Sequence, residues 1–362
     1  MNLPDLLRAA RDLGGSDLHL SIGSPPQVRV NGRLQRVEMP VLTPQLSRAL
    51  AYSVLTPAQQ RTFEEIGELD LAFGLPGAGR FRCNVFNQKG AVSSVIRLIP
   101  ERIRTLEELG LPPALARLAD RPRGLVLVTG PTGSGKSATL AALIDHVNES
   151  RAAHILTIED PIEYLHDHKQ SLVNQRELHA DTQTFTMALR AALREDPDVV
   201  LIGEMRDLET MEAAMKLAET GHLTLATLHT NSAAQTVTRI IDAFPAHQQA
   251  QIRTQLSLVL DGIVCQALLP KANGHGRVAA LEILLPNPAI RNLIRDDKIH
   301  QIYGAMQAGQ EKLGMQTMNQ ALVRLAALGV ITRELAVNTS SNREEFMSML
   351  SRYQTSGARC LT

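Results

Sequence analysis

Tryptophan is missing from this sequence of 362 residues, and aromatic residues make up only 3 % of it. Proteins that grip single-stranded nucleic acid stack its bases on aromatic side chains, so that class is disfavoured. Charge of either sign in excess is also missing: 37 Lys and Arg against 37 Asp and Glu leave 37 − 37 = 0. A neutral chain has no global pull toward nucleic acid or an anionic membrane, and DNA translocation is disfavoured with it. Cysteine is scarce. Cys83, Cys265 and Cys360 form no C-x-x-C pair, which excludes a four-cysteine zinc module and argues against a disulfide framework. A reducing cytoplasm is the expected setting. No apolar run approaches the ~18 residues of a membrane span. The opening Met1-Asn2-Leu3-Pro4-Asp5 lacks the basic-then-apolar pattern of a secretory signal.

What the chain does have is one strong motif. Gly130-Pro131-Thr132-Gly133-Ser134-Gly135-Lys136-Ser137 fits G-x-x-x-x-G-K-[ST], the phosphate-binding P-loop. An apolar run, Gly124 to Thr129, precedes it and reads as a buried strand; Ala138 to Val147 follows and reads as a helix. Glycines let successive N–H groups turn inward on phosphate oxygens, and the helix start adds the positive end of its dipole. In this motif Lys136 reaches the β- and γ-phosphates of ATP and the Ser137 hydroxyl holds Mg²⁺.

The chain before residue 100 reads as a small α+β domain. Helices are expected at 3–13, 44–55 and 57–66, and strands at 17–20, 27–30, 69–73, 79–86 and 92–99, with Asn31-Gly32 as a hairpin turn. Residues 101–105 read as a linker. A helix is expected over 106–118. From Arg123 strands and helices alternate, the mark of a parallel sheet flanked by helices. Its strands are drawn at 125–129, 155–158, 199–202 and 223–227, with helices near 137–147, 184–195, 207–219 and 246–260. A hairpin of 263–269 with 278–284 follows, then a Leu/Ala-rich helical region. The polar tail from Asn338 is expected to fray. The division is therefore 1–100, a 101–105 linker and 106–362.

Ligands of such sheets bind where the strands end, and three polar clusters fall at expected strand ends. In Thr157 to Glu163, either Glu159 or Glu163 is placed to orient a water and take its proton; the plain alternative is a solvated acidic turn. Asp196 to Asp207 is an apolar run followed by Gly203 and Glu204, a Walker-B-like end whose carboxylate suits Mg²⁺. Asp207 is equally a helix N-cap. In the third cluster His222 and His229 bracket a strand, one as a γ-phosphate sensor and the other as its support, or both as structural residues. Arg80 and Arg82 share one strand face and Arg97 stands on the next strand; they are solvated, or they act as fingers on a neighbour's triphosphate.

Together these stretches resemble the secretion-ATPase superfamily, the motors of type II secretion and type IV pili. Thr157 to Glu163 is similar to its Asp box, Asp196 to Asp207 to its atypical Walker B, and His222 with His229 to its His box. Ala289-Ile290-Arg291-Asn292-Leu293-Ile294-Arg295 resembles the AIRNLIR motif of the retraction branch, and Gly15 to Leu20 and Leu172 to Glu177 also fit. The resemblance covers about residues 3 to 335. It implies an α/β fold: a RecA-like P-loop ATPase domain preceded by a smaller PAS-like α+β domain, in a homohexamer. It implies Glu163 as general base, Glu204 as the acid near Mg²⁺ and His229 as γ-phosphate sensor, with Arg80, Arg82 and Arg97 near the nucleotide. Ala138 departs from the family threonine and removes a hydroxyl near the α-phosphate; Asn231 also replaces a threonine. The implied partners are an inner-membrane pilus platform protein and paralogous pilus ATPases, so the chain would meet the membrane only through partners, at its cytoplasmic face. The AIRNLIR stretch reads either as a docking helix in the subunit core or, as the family favours, as a surface that passes ring motion to the platform. The assembly branch usually carries an extra N-terminal domain and a four-cysteine insert that this sequence does not show. A weakly hydrolysing accessory subunit is the remaining alternative.

Overall fold

The computed structural model describes residues 2–30, 32–76, 79–99, 102–308 and 314–357. The chain forms two compact units, one of residues 1–102 with 161–165 and the other of residues 103–160 with 166–362. Among the described residues no helix is long and apolar enough to cross a membrane.

The first unit is a six-stranded antiparallel sheet with three helices, α1 (Leu3–Asp12), α2 (Pro44–Tyr52) and α3 (Pro57–Ile66). Its strands are β1 (Asp17–Leu20), β2 (Gln27–Val30), β3 (Arg33–Arg36), β4 (Glu68–Leu75), β5 (Gly79–Gln88) and β6 (Ala91–Ile99), ordered β3-β2-β1-β6-β5-β4. Val30 pairs with Arg33 across a two-residue turn whose Gly32 has φ +83°; Asn31 lies outside the described residues. Period-two alternation sends Leu18, Val28, Ile96, Phe81 and Cys83 into the core with Leu3, Leu7 and Phe63 of the helices. The opposite face is polar. Registers Arg29–Asp17, Asp17–Arg97 and Arg97–Arg82 set one row of charge across four strands.

The second unit is built on a seven-stranded sheet, β7 (Gly124–Thr129), β8 (His154–Glu159), β9 (Leu172–Glu177), β10 (Val199–Ile202), β11 (Leu223–Leu228), β12 (Leu260–Pro270) and β13 (Arg277–Leu284). The order is β13-β12-β7-β11-β10-β8-β9, and only β13 runs antiparallel to its neighbour. Helices cover both faces. Leu125, Leu127, Ile158 and Ile202 pack on α6 (Phe185–Ala192), α7 (Leu208–Glu219), α8 (Ala233–Asp242), α9 (Gln249–Val259) and α10 (Pro288–Arg295). Val126, Val128, Leu201 and Val264 pack on α4 (Ala114–Ala119) and α5 (Lys136–Ser150).

Three expectations are corrected. The helix drawn over 106–118 is only Ala114–Ala119: Gly110 takes φ +68°, and Pro112 and Pro113 have no N–H to continue a ladder. The expected hairpin after α9 forms as β12 with β13, and it joins the parallel sheet because β12 pairs with β7. An additional edge strand, β9, pairs with β8. The polar tail folds as far as it is described. A helix spans Arg343–Gly357 and buries Phe346 and Leu350, one turn apart. Cys360 lies outside the described residues.

Candidate functional site

β7 is buried along its whole length and stops at Thr129. The chain then curls through Gly130 (φ +138°), Gly133 (φ +81°) and Gly135 (φ +91°), conformations that side chains with a Cβ resist. Lys136 opens α5 directly. The first N–H groups of that helix lack partners within it, so they are available to an anion beside the loop. Pro131, Thr132 and Gly133 are exposed, while Lys136, Ser137 and Ala138 are half-buried. Lys136 Nζ folds back to donate to the carbonyls of Gly130 (2.7 Å) and Pro131 (3.2 Å). Ser134 is 3 % exposed, and its Oγ has no hydrogen-bond partner.

The strand registers place the other groups at the same edge. Thr129 is level with Leu228, Ala226 with Ile202, and Ile202 with Ile158. The ends of β7, β11, β10 and β8 therefore form one rim, with neighbours about 4.8 Å apart. Gly130 leaves β7, His229 leaves β11, Glu204 follows β10 and Glu159 ends β8. Gly203 lies against the end of β8: a Cβ there would stand 3.2 Å from the Glu159 backbone.

Each carboxylate on the rim is held. Glu204 Oε1 lies 3.2 Å from His229 Nε2, and its Oε2 accepts from Arg206 Nε at 2.8 Å. Arg206 also stands 3.7 Å from Asp160. Glu159 Oε1 accepts from the Thr157 hydroxyl (2.7 Å) and from Gln175 Nε2 (3.2 Å). Gln175 Oε1 in turn accepts from the His166 backbone N–H at 2.8 Å. Burial pushes the His166 imidazole down to about 4, with Lys169 adding to the shift and Asp145 and Asp167 opposing it.

Not every expected residue stands here. His222 precedes β11 and His229 follows it, so six strand residues at ~3.3 Å each separate them by about 20 Å. The pairing of the two histidines at one phosphate is thus corrected within one chain. His222 Nδ1 is engaged with the Leu217 carbonyl at 2.9 Å and the Thr220 hydroxyl at 3.1 Å. Asp207 is a helix cap: it accepts from the Thr210 N–H at 2.9 Å in a capping box. Glu163 falls in the segment 161–165, which belongs to the first unit. In that unit Arg80 Nε donates to the Ile162 carbonyl (3.3 Å). Arg97 Nε donates to Asp17 Oδ1 (2.9 Å) beside Arg82 in the charged row. Burial pushes the Asp17 carboxyl up, but hydrogen bonds from Ser16 and Arg97 and the Arg97 charge outweigh it and leave the group below its usual range.

The AIRNLIR helix, α10, packs one stripe into the core and leaves Ala289, Asn292 and Arg295 exposed. Ile290 and Ile294 are fully buried. Arg291 caps α9, donating to the carbonyls of Ser257 (2.6 Å) and Leu258 (3.0 Å), and reaches Asp261 at 2.9 Å. Arg295 is the half-exposed arginine of the stretch. Sequence reading missed Gln175, Arg206 and Gln266. The first two are visible as polar residues one or two positions from a strand-end acid or on the partner strand; Gln266 sits in an apolar run with no motif around it.

Comparison with known proteins places these features in a group. The family described as "Type II/IV secretion system protein" matches residues 27–330. The type IV pilus retraction ATPase PilT of Pseudomonas aeruginosa is 51 % identical over 346 residues, 96 % of this chain and 100 % of that protein. A twitching motility protein of Neisseria gonorrhoeae is 50 % identical over 319 residues, 88 % of this chain and 85 % of that one. A crystal structure of the pilus retraction motor PilT with bound ADP superposes with a TM-score of 0.89 at 51 % identity, covering 95 % of this chain and 98 % of the other.

Proposed function

The chain belongs to the type II/IV secretion system protein family, and from that premise we propose that it is the ATP-hydrolysing motor of type IV pilus retraction, working as a homohexamer. The observation that carries the reading is the shared rim: the glycine loop with Lys136, then His229, Glu204 and Glu159, leave neighbouring strands at one edge.

The triphosphate of ATP lies on the loop from Gly130 to Gly135, among its N–H groups and those opening α5, with Lys136 moved from the loop carbonyls onto the β- and γ-phosphates. The Ser137 hydroxyl and Glu204 carboxylate are hard oxygen donors that fit Mg²⁺. Held by Ser137 and Glu204, such an ion would supply positive charge to offset the negative charge of the phosphates. Glu163 orients the attacking water and accepts its proton. Glu159, fixed by Thr157 and Gln175, shapes the turn that carries Glu163. His229 already touches Glu204, so loss of the γ-phosphate is felt at the head of the loop entering α8. Arg80, Arg82 and Arg97 are offered to the nucleotide of a neighbouring copy. Partners are an inner-membrane pilus platform protein and paralogous pilus ATPases, which hold the ring at the cytoplasmic face of that membrane.

The test is a deletion in cells that carry the chain. Retraction predicts excess surface pili and lost twitching, restored by the wild-type chain and not by Lys136→Ala. Bald cells would instead point to assembly. Normal ATP affinity with background turnover would point to an accessory subunit.

A further inference from the structure

Gln266 occupies a place where an apolar residue would be expected. It lies on β12, one position past Cys265, which pairs with Thr129 at the end of β7. It therefore runs beside Gly130, where the glycine loop begins. Val264, on the same face of β12, belongs to the apolar layer under α5. Gln266 is itself only 4 % exposed. Burying an amide there costs free energy that leucine would not, unless its polar atoms are used.

Both ends of the loop close on this one residue. The Gln266 backbone carbonyl oxygen lies 2.3 Å from where a Cβ on Gly130 would stand. Its Nε2 lies 2.8 Å from where a Cβ on Gly135 would stand. Its Oε1 accepts from the Thr139 hydroxyl at 2.8 Å, and Thr139 is a buried residue in the first turns of α5. The side-chain amide thus meets the loop's last glycine and the helix it feeds, while the backbone of the same residue abuts the first glycine. The two glycines are required by this contact as well as by their own backbone angles.

We propose that Gln266 is a positioning residue of the phosphate site, bracing the loop from β12 so that its N–H groups converge before nucleotide arrives. This rests on the reading of residues 130–137 as the ATP site. A loop containing three glycines at positive φ has freedom to lose, and ordering it during binding subtracts from affinity. A brace that orders it beforehand moves that cost to folding. The brace acts on nucleotide affinity, and the apolar layer around it holds the fold without it.

The experiment measures ADP and ATP dissociation constants and the nucleotide-free melting temperature of the assembled protein. Gln266→Leu should weaken both nucleotides about tenfold, the worth of a buried hydrogen bond, with melting unchanged or raised. Thr139→Val removes the other half of the bond and should weaken both nucleotides likewise, with a lower melting temperature because the Gln266 amide stays buried without its donor. The double variant should be no weaker than the worse single variant, because the two share one interaction. Gln266→Glu keeps the shape and the acceptor but sets a carboxylate near the phosphates. It should weaken ATP more than ADP, and added salt should narrow the gap. Wild-type dissociation constants in Gln266→Leu and Thr139→Val, with or without a lower melting temperature, would overturn the brace alone. A wild-type chain that binds neither nucleotide would overturn the phosphate site and the brace with it.

Discussion

His166 is held neutral by burial, and that makes stability depend on pH in a defined window. Its imidazole is pushed from 6.5 to about 4. Between those values the unfolded chain binds a proton that the folded chain refuses. Stability therefore rises with pH across the window: the His166 contribution is complete above about 6.5 and is lost progressively as pH falls toward 4. A shift of about 2.5 units at ~1.36 kcal/mol each gives up to ~3 kcal/mol. The useful quantity is the difference between the wild type and His166→Leu, which isolates this one group. Denaturant unfolding of both, at matched protein concentration from pH 7.5 down to 4.5, should show the variant gaining on the wild type by ~1.4 kcal/mol per pH unit within the window. Proton NMR of the His166 ring should show no titration near neutral pH. Parallel stability curves, or a ring that titrates near 6.5, would refute the reasoning. His166 stands beside the site, since its backbone N–H donates to Gln175, which in turn holds Glu159.

Two further outcomes are expected. Arg291→Ala strips α9 of two carbonyl caps and leaves Asp261 without its closest cation; it should cost about 2–3 kcal/mol in unfolding measurements, and Arg291→Lys should recover only part of this because one ammonium cannot span all three acceptors. Asp207→Ala removes the α7 cap and should cost about 1 kcal/mol by the same measurement, while leaving ATP affinity at the wild-type value because the carboxylate is occupied by Thr210.

The glycine loop and the buried strands were legible because their signals are local. Three glycines, a lysine and a serine at fixed spacing flank a β-branched run, and a strand buried on both faces has to be apolar throughout. Edge strand β9 was not legible as a strand: Asn174, Gln175, Arg176 and Glu177 follow one buried valine, and only pairing with β8 makes them extended. The spacing of His222 and His229 was in fact informative, since a strand between two residues puts them at opposite edges of a sheet. The family motif drew them together on the page when the backbone holds them apart. Arg291 and Gln266 were hidden for a different reason. Their partners lie far away in sequence, at Ser257 and Asp261 for one and at Thr139 for the other. The tail misled through composition, because Phe346 and Leu350, with the partly buried Met349, dock a helix whose other residues are mostly polar.

The most direct test is steady-state ATP turnover of the assembled protein beside Glu204→Gln, which keeps the size of the side chain and removes the charge offered to the metal and to His229. Convergence of the rim on one triphosphate predicts turnover in the wild type and a loss of at least about a hundredfold in the variant, with ATP still bound. Equal turnover in the two proteins would contradict it.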